Sequence, residues 1–162
     1  MEPIVYGDMN TGQEECVCAL VRRVFNDLVA PDYEAHGIEE FFRFANPAAM
    51  KARVSAGGFV LVASMSGGIV GMLEFAPPDR IAMLFVSRRN RGIARALLER
   101  AIRHVLAADP TVSKLTVHSS PYARPFYEKM GFKQVTDVTT KHGITYIPME
   151  RGLQSTGKTE QA

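Results

Sequence analysis

The chain has 162 residues, of which 46% are hydrophobic and 22% charged, with two cysteines. That size suits one domain with a well-formed core, and the composition excludes a disordered or fibrous chain. A formal charge of +2 is too small for bulk attraction to nucleic acid or an acidic membrane, so neither is expected as a partner and any anion site must come from local clustering.

Met1 to Met9 carries two acids and no apolar signal core, and no apolar run is long enough to span a bilayer. A cytoplasmic protein is therefore expected. From Thr11 to Val29 the apolar positions Val17, Leu20, Val21, Val24 and Leu28 recur at helical spacing, with Thr11 and Glu14 set as a capping box. Cys16 and Cys18 sit two apart on that helix, where side chains diverge, so they read as small core or surface residues rather than a disulfide. No ligand spacing for a metal is present. A second helix is expected over Ile38 to Ala45 and a shorter one from Pro47 to Arg53, capped by Asn46.

Phe59 to Met65 and Ile69 to Phe75 read as a hairpin turning at Ser66-Gly67-Gly68. Ile81 to Val86 reads as a buried strand feeding a helix that begins near Gly92 and ends before Asp109-Pro110. A strand over Lys114 to Val117, a helix over Tyr122 to Met130 stopped by Gly131, and strands near Phe132 to Val135 and Ile144 to Met149 follow. Residues 1–150 form the expected domain, and 151–162 a polar, mobile tail.

The junction Leu84 to Ala94 carries the functional signal. A buried strand passes through Arg88, Arg89, Asn90 and Arg91 into a helix opening with Gly92, Ile93, Ala94 and Arg95. The first N–H groups of a helix lack internal acceptors and its dipole is positive there, so a pyrophosphate can be held by backbone donors, aided by the arginines. Here the chain resembles the GNAT acyltransferase superfamily: Arg89-Asn90-Arg91-Gly92-Ile93-Ala94 matches its signature Q/R-x-x-G-x-G/A, and Phe126-Tyr127-Glu128-Lys129-Met130-Gly131-Phe132 its F-Y-x-x-x-G-F motif. The loop before Gly92 is about two residues shorter than the family's usual spacing.

The resemblance implies an α/β fold with a mixed, mostly antiparallel sheet of six to seven strands flanked by about four helices. It implies acetyl-CoA as cosubstrate, held by Leu84, Phe85, Val86, Arg89, Arg91, Gly92, Ile93, Ala94, Arg95, Ser120, Phe126 and Tyr127, and an amine acceptor attacking directly. A backbone N–H near Phe85 or Val86 would bind the thioester oxygen, and Tyr127 would protonate the departing thiolate. Glu74 is the expected base, with His118 as the alternative. Phe25, Asp27, Tyr33, Glu34, Phe41 and Phe42 are expected around the acceptor, and Asp27 or Glu34 facing it would favour a cationic amine. A homodimer is compatible with a chain of this size. The competing readings are a GNAT-like module that binds acyl-CoA without turnover and, more distantly, a nucleic-acid contact through the arginine loop.

Overall fold

Apolar residues run almost without interruption along the central strands Phe59–Met65 and Gly68–Ala76 because both faces of the sheet are covered by helices. The computed structural model describes residues 2–89 and 91–153. In chain order the elements are β1 (Val5–Asp8), α1 (Glu14–Leu28), a 3-10 turn (Ala30–Asp32), α2 (Ala35–Phe44), α3 (Pro47–Ser55), β2 (Phe59–Met65), β3 (Gly68–Ala76) and β4 (Arg80–Val86). They continue with α4 (Ile93–Ala108), β5 (Lys114–Ser119), α5 (Arg124–Lys129), β6 (Lys133–Gln134), β7 (Thr139–Lys141) and β8 (Ile144–Gly152).

The strands lie in the order β1-β2-β3-β4-β5-β8-β6, with β7 paired to β8. All pairs are antiparallel except β4 and β5, which need the crossover that α4 supplies. On one face, Leu97, Leu98, Ala101 and Val105 of α4 pack on Leu61, Leu73, Phe75 and Ile81. On the other, Val17, Leu20, Val21 and Val24 of α1 pack on Val60, Val62, Met72 and Met83. A Cβ on Gly71 would stand 2.9 Å from Ile93 Cγ2, so the missing side chain lets the first turn of α4 rest on β3.

Among the described residues, eight strands and five α-helices exceed the expected numbers. β1 is a short, mostly exposed edge strand and β7 is polar, so neither has the apolar alternation by which a strand is read. Asn46 does cap α3, its Oδ1 accepting from the Ala49 N–H at 3.0 Å. The Thr11–Glu14 capping box does not form: α1 begins after Gln13, and Glu14 accepts from the Gly12 N–H at 2.9 Å. β8 runs to Gly152, which pairs with Lys114, so Arg151 and Gly152 belong to the sheet and not to the expected tail. Met1, Asn90 of the signature and tail residues 154–162 lie outside the described residues. Among the described residues no helix is long and apolar enough to cross a membrane.

Candidate active site

β4 and β5 pair at only two positions, Arg80 with Thr116 and Ile81 with Val117. Beyond them the strands part. In the β3–β4 register Glu74 opposes Met83 and Phe75 opposes Ile81, which leaves Ala82 as a bulge. The extra residue reverses which side chains face which layer: Ile81 belongs to the α4 side, Met83 to the α1 side, and Phe85 packs with Met83 while Leu84 and Val86 pack toward α4.

Backbone direction follows from the same register. The Ser87 N–H bonds to the Val70 carbonyl at 2.9 Å, so Ser87 and Phe85 turn their N–H groups toward β3. Leu84 and Val86, at the alternate positions, turn theirs toward the gap where β5 has left. Of the two positions expected to offer an N–H donor, Val86 is the one so directed and Phe85 is not.

A cleft of about 1280 Å³ occupies that gap. Its walls include Leu84, Phe85 and Val86 of β4, Gly92, Ile93, Ala94 and Arg95 at the start of α4, and Arg88 and Arg89 of the loop between them. Gly92 stands at φ 70° as the residue before α4, a conformation costly for side chains with a Cβ. The first helical bond of α4 runs from the Ala96 N–H to the Gly92 carbonyl, so the N–H groups of Ile93, Ala94 and Arg95 carry no intrahelical acceptor. The loop after β4 therefore delivers a helix start to the cleft. Arg91 does not line it; its guanidinium donates to the Glu2 carbonyl at 3.1 Å.

The opposite wall comes from β5 and α5. Ser120, Phe126 and Tyr127 all line the cleft. Ser120 Oγ accepts from the Ala123 N–H at 3.1 Å and fixes the turn into α5. Tyr127 is 4% exposed, held edge-on between Phe126 and Phe132, with centroids 5.2 Å away on each side. Burial raises its pKa well above the ordinary phenol value, so the hydroxyl keeps its proton. Arg89 reaches across the mouth to the Tyr122 hydroxyl at 2.9 Å, a contact between the two lips that had no motif to announce it.

Glu74 is not in the cleft. It is fully buried under α1 and α3, and its carboxylate is held by Arg53, Nε at 2.6 Å and Nη2 at 3.1 Å. With no exposed surface and no place on the cleft wall, the carboxylate cannot meet an acceptor amine there, which removes the expected base. Cys18 lies in the field of the same pair, and burial pushes its thiol up to about 11; Cys16 is exposed and both are free.

His118 does line the cleft. Desolvation first, then the positive charges of Arg80 and Lys141, hold its imidazole below the ordinary 6.5. Arg80 Nη1 lies 3.0 Å from the ring nitrogens, and Tyr146 stacks on the ring at 4.2 Å. Of the residues expected at the acceptor, Phe25, Tyr33 and Phe41 line the cleft, while Asp27, Glu34 and Phe42 do not. No group of three or more His, Cys, Asp or Glu arranged for a metal ion occurs among the described residues.

The sequence matches the family described as acetyltransferase (GNAT) domain over residues 29–153. No curated protein matches it. Among solved structures, a GCN5-related N-acetyltransferase from Rhodopseudomonas palustris is similar at TM-score 0.78 and 22% identity, over 94% of this chain and 98% of that one. The PaiA N-acetyltransferase from Thermoplasma acidophilum, solved in complex with coenzyme A, is similar at TM-score 0.74 and 18% identity, over 93% and 99%. An aminoglycoside 6'-acetyltransferase type Ii is similar at TM-score 0.66 and 16% identity, over 91% and 96%. At such identities the likeness carries the fold.

Proposed function

The chain belongs to the GNAT acetyltransferase family, and from that premise we propose that it transfers the acetyl group of acetyl-CoA to a primary amine, by direct attack with both substrates bound in the cleft between β4 and β5. The observation that carries the reading is the conjunction, in one cleft, of unpaired strand donors at Leu84 and Val86, a free helix start after Gly92 and the buried Tyr127 hydroxyl. The residues fit the cosubstrate in its parts. Arg88, Arg89 and Arg95 and the first N–H groups of α4 would hold phosphates, and Leu84 and Val86 would bond the amides and the acyl oxygen of an extended arm.

Acetyl-CoA supplies an acyl carbon already activated as a thioester. His118, neutral because of its surroundings, accepts the proton that the ammonium form of the acceptor must lose before nitrogen can attack. The Val86 N–H steadies the negative charge that develops on the acyl oxygen. As the C–N bond forms and the C–S bond breaks, Tyr127 gives its proton to sulfur and regains one from the new amide nitrogen. The setting that follows for such a cosubstrate is the cytoplasm.

Capture of Glu74 by Arg53 favours one second reading, a module that binds acyl-CoA without turnover. Calorimetric titration with acetyl-CoA, paired with an amine screen that measures free thiol, separates the two. Micromolar binding lost in Gly92→Val, together with amine-dependent thiol release, is the expected result. Binding without thiol release on any amine leaves the non-catalytic module, and absence of binding to wild type removes both.

A further inference from the structure

Cations line the cleft in two separate groups. Arg88, Arg89 and Arg95 flank the start of α4, where the proposed cosubstrate needs them, and Lys129 lines the cleft from α5. Arg80 and Lys141 lie elsewhere and have no part in that task.

Their position follows from register. Arg80 is paired with Thr116 across the parallel rung, so it shares a sheet face with Thr116 and with His118 two residues on. Lys141 opposes Ile144, and Thr139 opposes Tyr146, so Lys141 shares a face with Tyr146, whose ring lies on His118. Thr140 turns the other way, bonding Thr145 at 2.9 Å. Two cations thus flank one imidazole from different strands, on the α1 side of the sheet, with Tyr33, Phe41 and Phe85 as the apolar part of the same wall.

Neither cation has a carboxylate partner within ion-pair distance among the described residues. Glu40, the single acid on the cleft wall among those residues, is already engaged by Arg43. Glu34, expected to favour a cationic acceptor, faces His36 on the surface instead. Arg80, His118 and Lys141 are all exposed, so an anion arriving from solvent can reach both cations beside the neutral ring.

We infer that Arg80 and Lys141 form an anion site for the acceptor, so that the molecule acetylated is an amine bearing a carboxylate on an apolar frame, of which a free amino acid with a large apolar side chain is the simplest case. This rests on the acyl-transfer reading of the cleft. The aromatic wall takes the side chain, the two cations take the carboxylate, and the amine is left beside His118.

The test compares L-phenylalanine with phenethylamine, which differs by the carboxylate alone. Binding to the CoA-loaded protein is measured by calorimetry and transfer from acetyl-CoA by thiol release, for wild type, Arg80→Ala and Lys141→Ala. The expected result is binding of phenylalanine about tenfold or more tighter than phenethylamine, with the preference lost in Arg80→Ala and reduced in Lys141→Ala. Equal or inverted preference in wild type, a preference that survives both substitutions, or no binding of either compound overturns the anion site. Turnover is read separately: a carboxylate preference in binding without thiol release supports the site and removes the catalytic reading, whereas release with phenethylamine preferred does the reverse.

Discussion

Gly37 of α2 and Gly143 of the β7–β8 turn meet backbone to backbone: a Cβ built on Gly37 would stand 2.1 Å from the Gly143 carbonyl oxygen. The Glu34 N–H bonds to that same oxygen at 3.2 Å. His142 and Gly143 have φ of 55° and 79°, as a two-residue hairpin turn requires. The contact joins the two elements that roof the acceptor half of the cleft, α2 with Phe41 and the β7–β8 hairpin with Lys141 and Tyr146.

Gly37→Ala therefore forces the roof open. The expected cost is about 1–3 kcal/mol of stability, seen as a lower Tm. The acceptor KM should rise while acetyl-CoA affinity, set at the other end of the cleft, stays near wild type. Equal weakening of both ligands would mean that the contact supports the whole fold rather than the roof.

Glu74→Gln tests the ion pair. Leaving Arg53 without its counter-charge should destabilise the protein by about 3 kcal/mol, toward the lower end for a broken buried pair because Arg53 retains some exposure. Activity per folded molecule should persist. Loss of kcat at unchanged Tm would return Glu74 to the chemistry.

Tyr127→Phe keeps the ring between Phe126 and Phe132 and removes only the hydroxyl. A fall in kcat of about 10²–10⁴-fold with acetyl-CoA affinity little changed is expected of a lost general acid. Wild-type kcat with a good acceptor would assign the thiolate's proton to another source.

His118 sets the acid limb of the pH profile. Its pKa is held below 6.5 in the empty cleft, so the acid limb of kcat/KM for the acceptor, which reports the free enzyme, should have its midpoint below 6.5. Arg80→Ala deletes one of the two cations and should move that limb upward, though not fully, because desolvation is the larger cause. The same depression makes the unfolded chain the better proton binder, so this residue's contribution to stability is full above pH 6.5 and declines as pH falls toward the lower folded value. A limb above 6.5 in wild type would remove His118 as the base.

The long helices, the β2–β3 hairpin and the cleft walls at the end of β4 and the start of α4 were legible in the sequence because each rests on local signals: period, turn residues and a helix start. Glu74 was not. Its strand position was read correctly, but which face it takes and that Arg53 waits there depend on how α3 docks, which no local pattern encodes. The bulge at Ala82 is equally silent, and it decides that Val86 rather than Phe85 turns its N–H to the gap. Arg80, Lys141 and Tyr146 converge on His118 only through strand register across distant segments. Arg91 sat inside a recognisable motif, yet its side chain leaves for the N-terminal segment.

The two rungs that join β4 to β5 leave the sheet partly unzipped. On one side stand β1 to β4, on the other β5, β8 and their neighbours, and past Ile81 and Val117 no backbone rung joins them among the described residues. Groups such as the Leu84 and Val86 amides must find water when the cleft is empty. A guest with amides of its own, laid along β4, would serve as a borrowed strand, and the two halves would then be laced together through that guest. The same seam that would admit a cosubstrate would then be the part of the molecule most stiffened by its occupant.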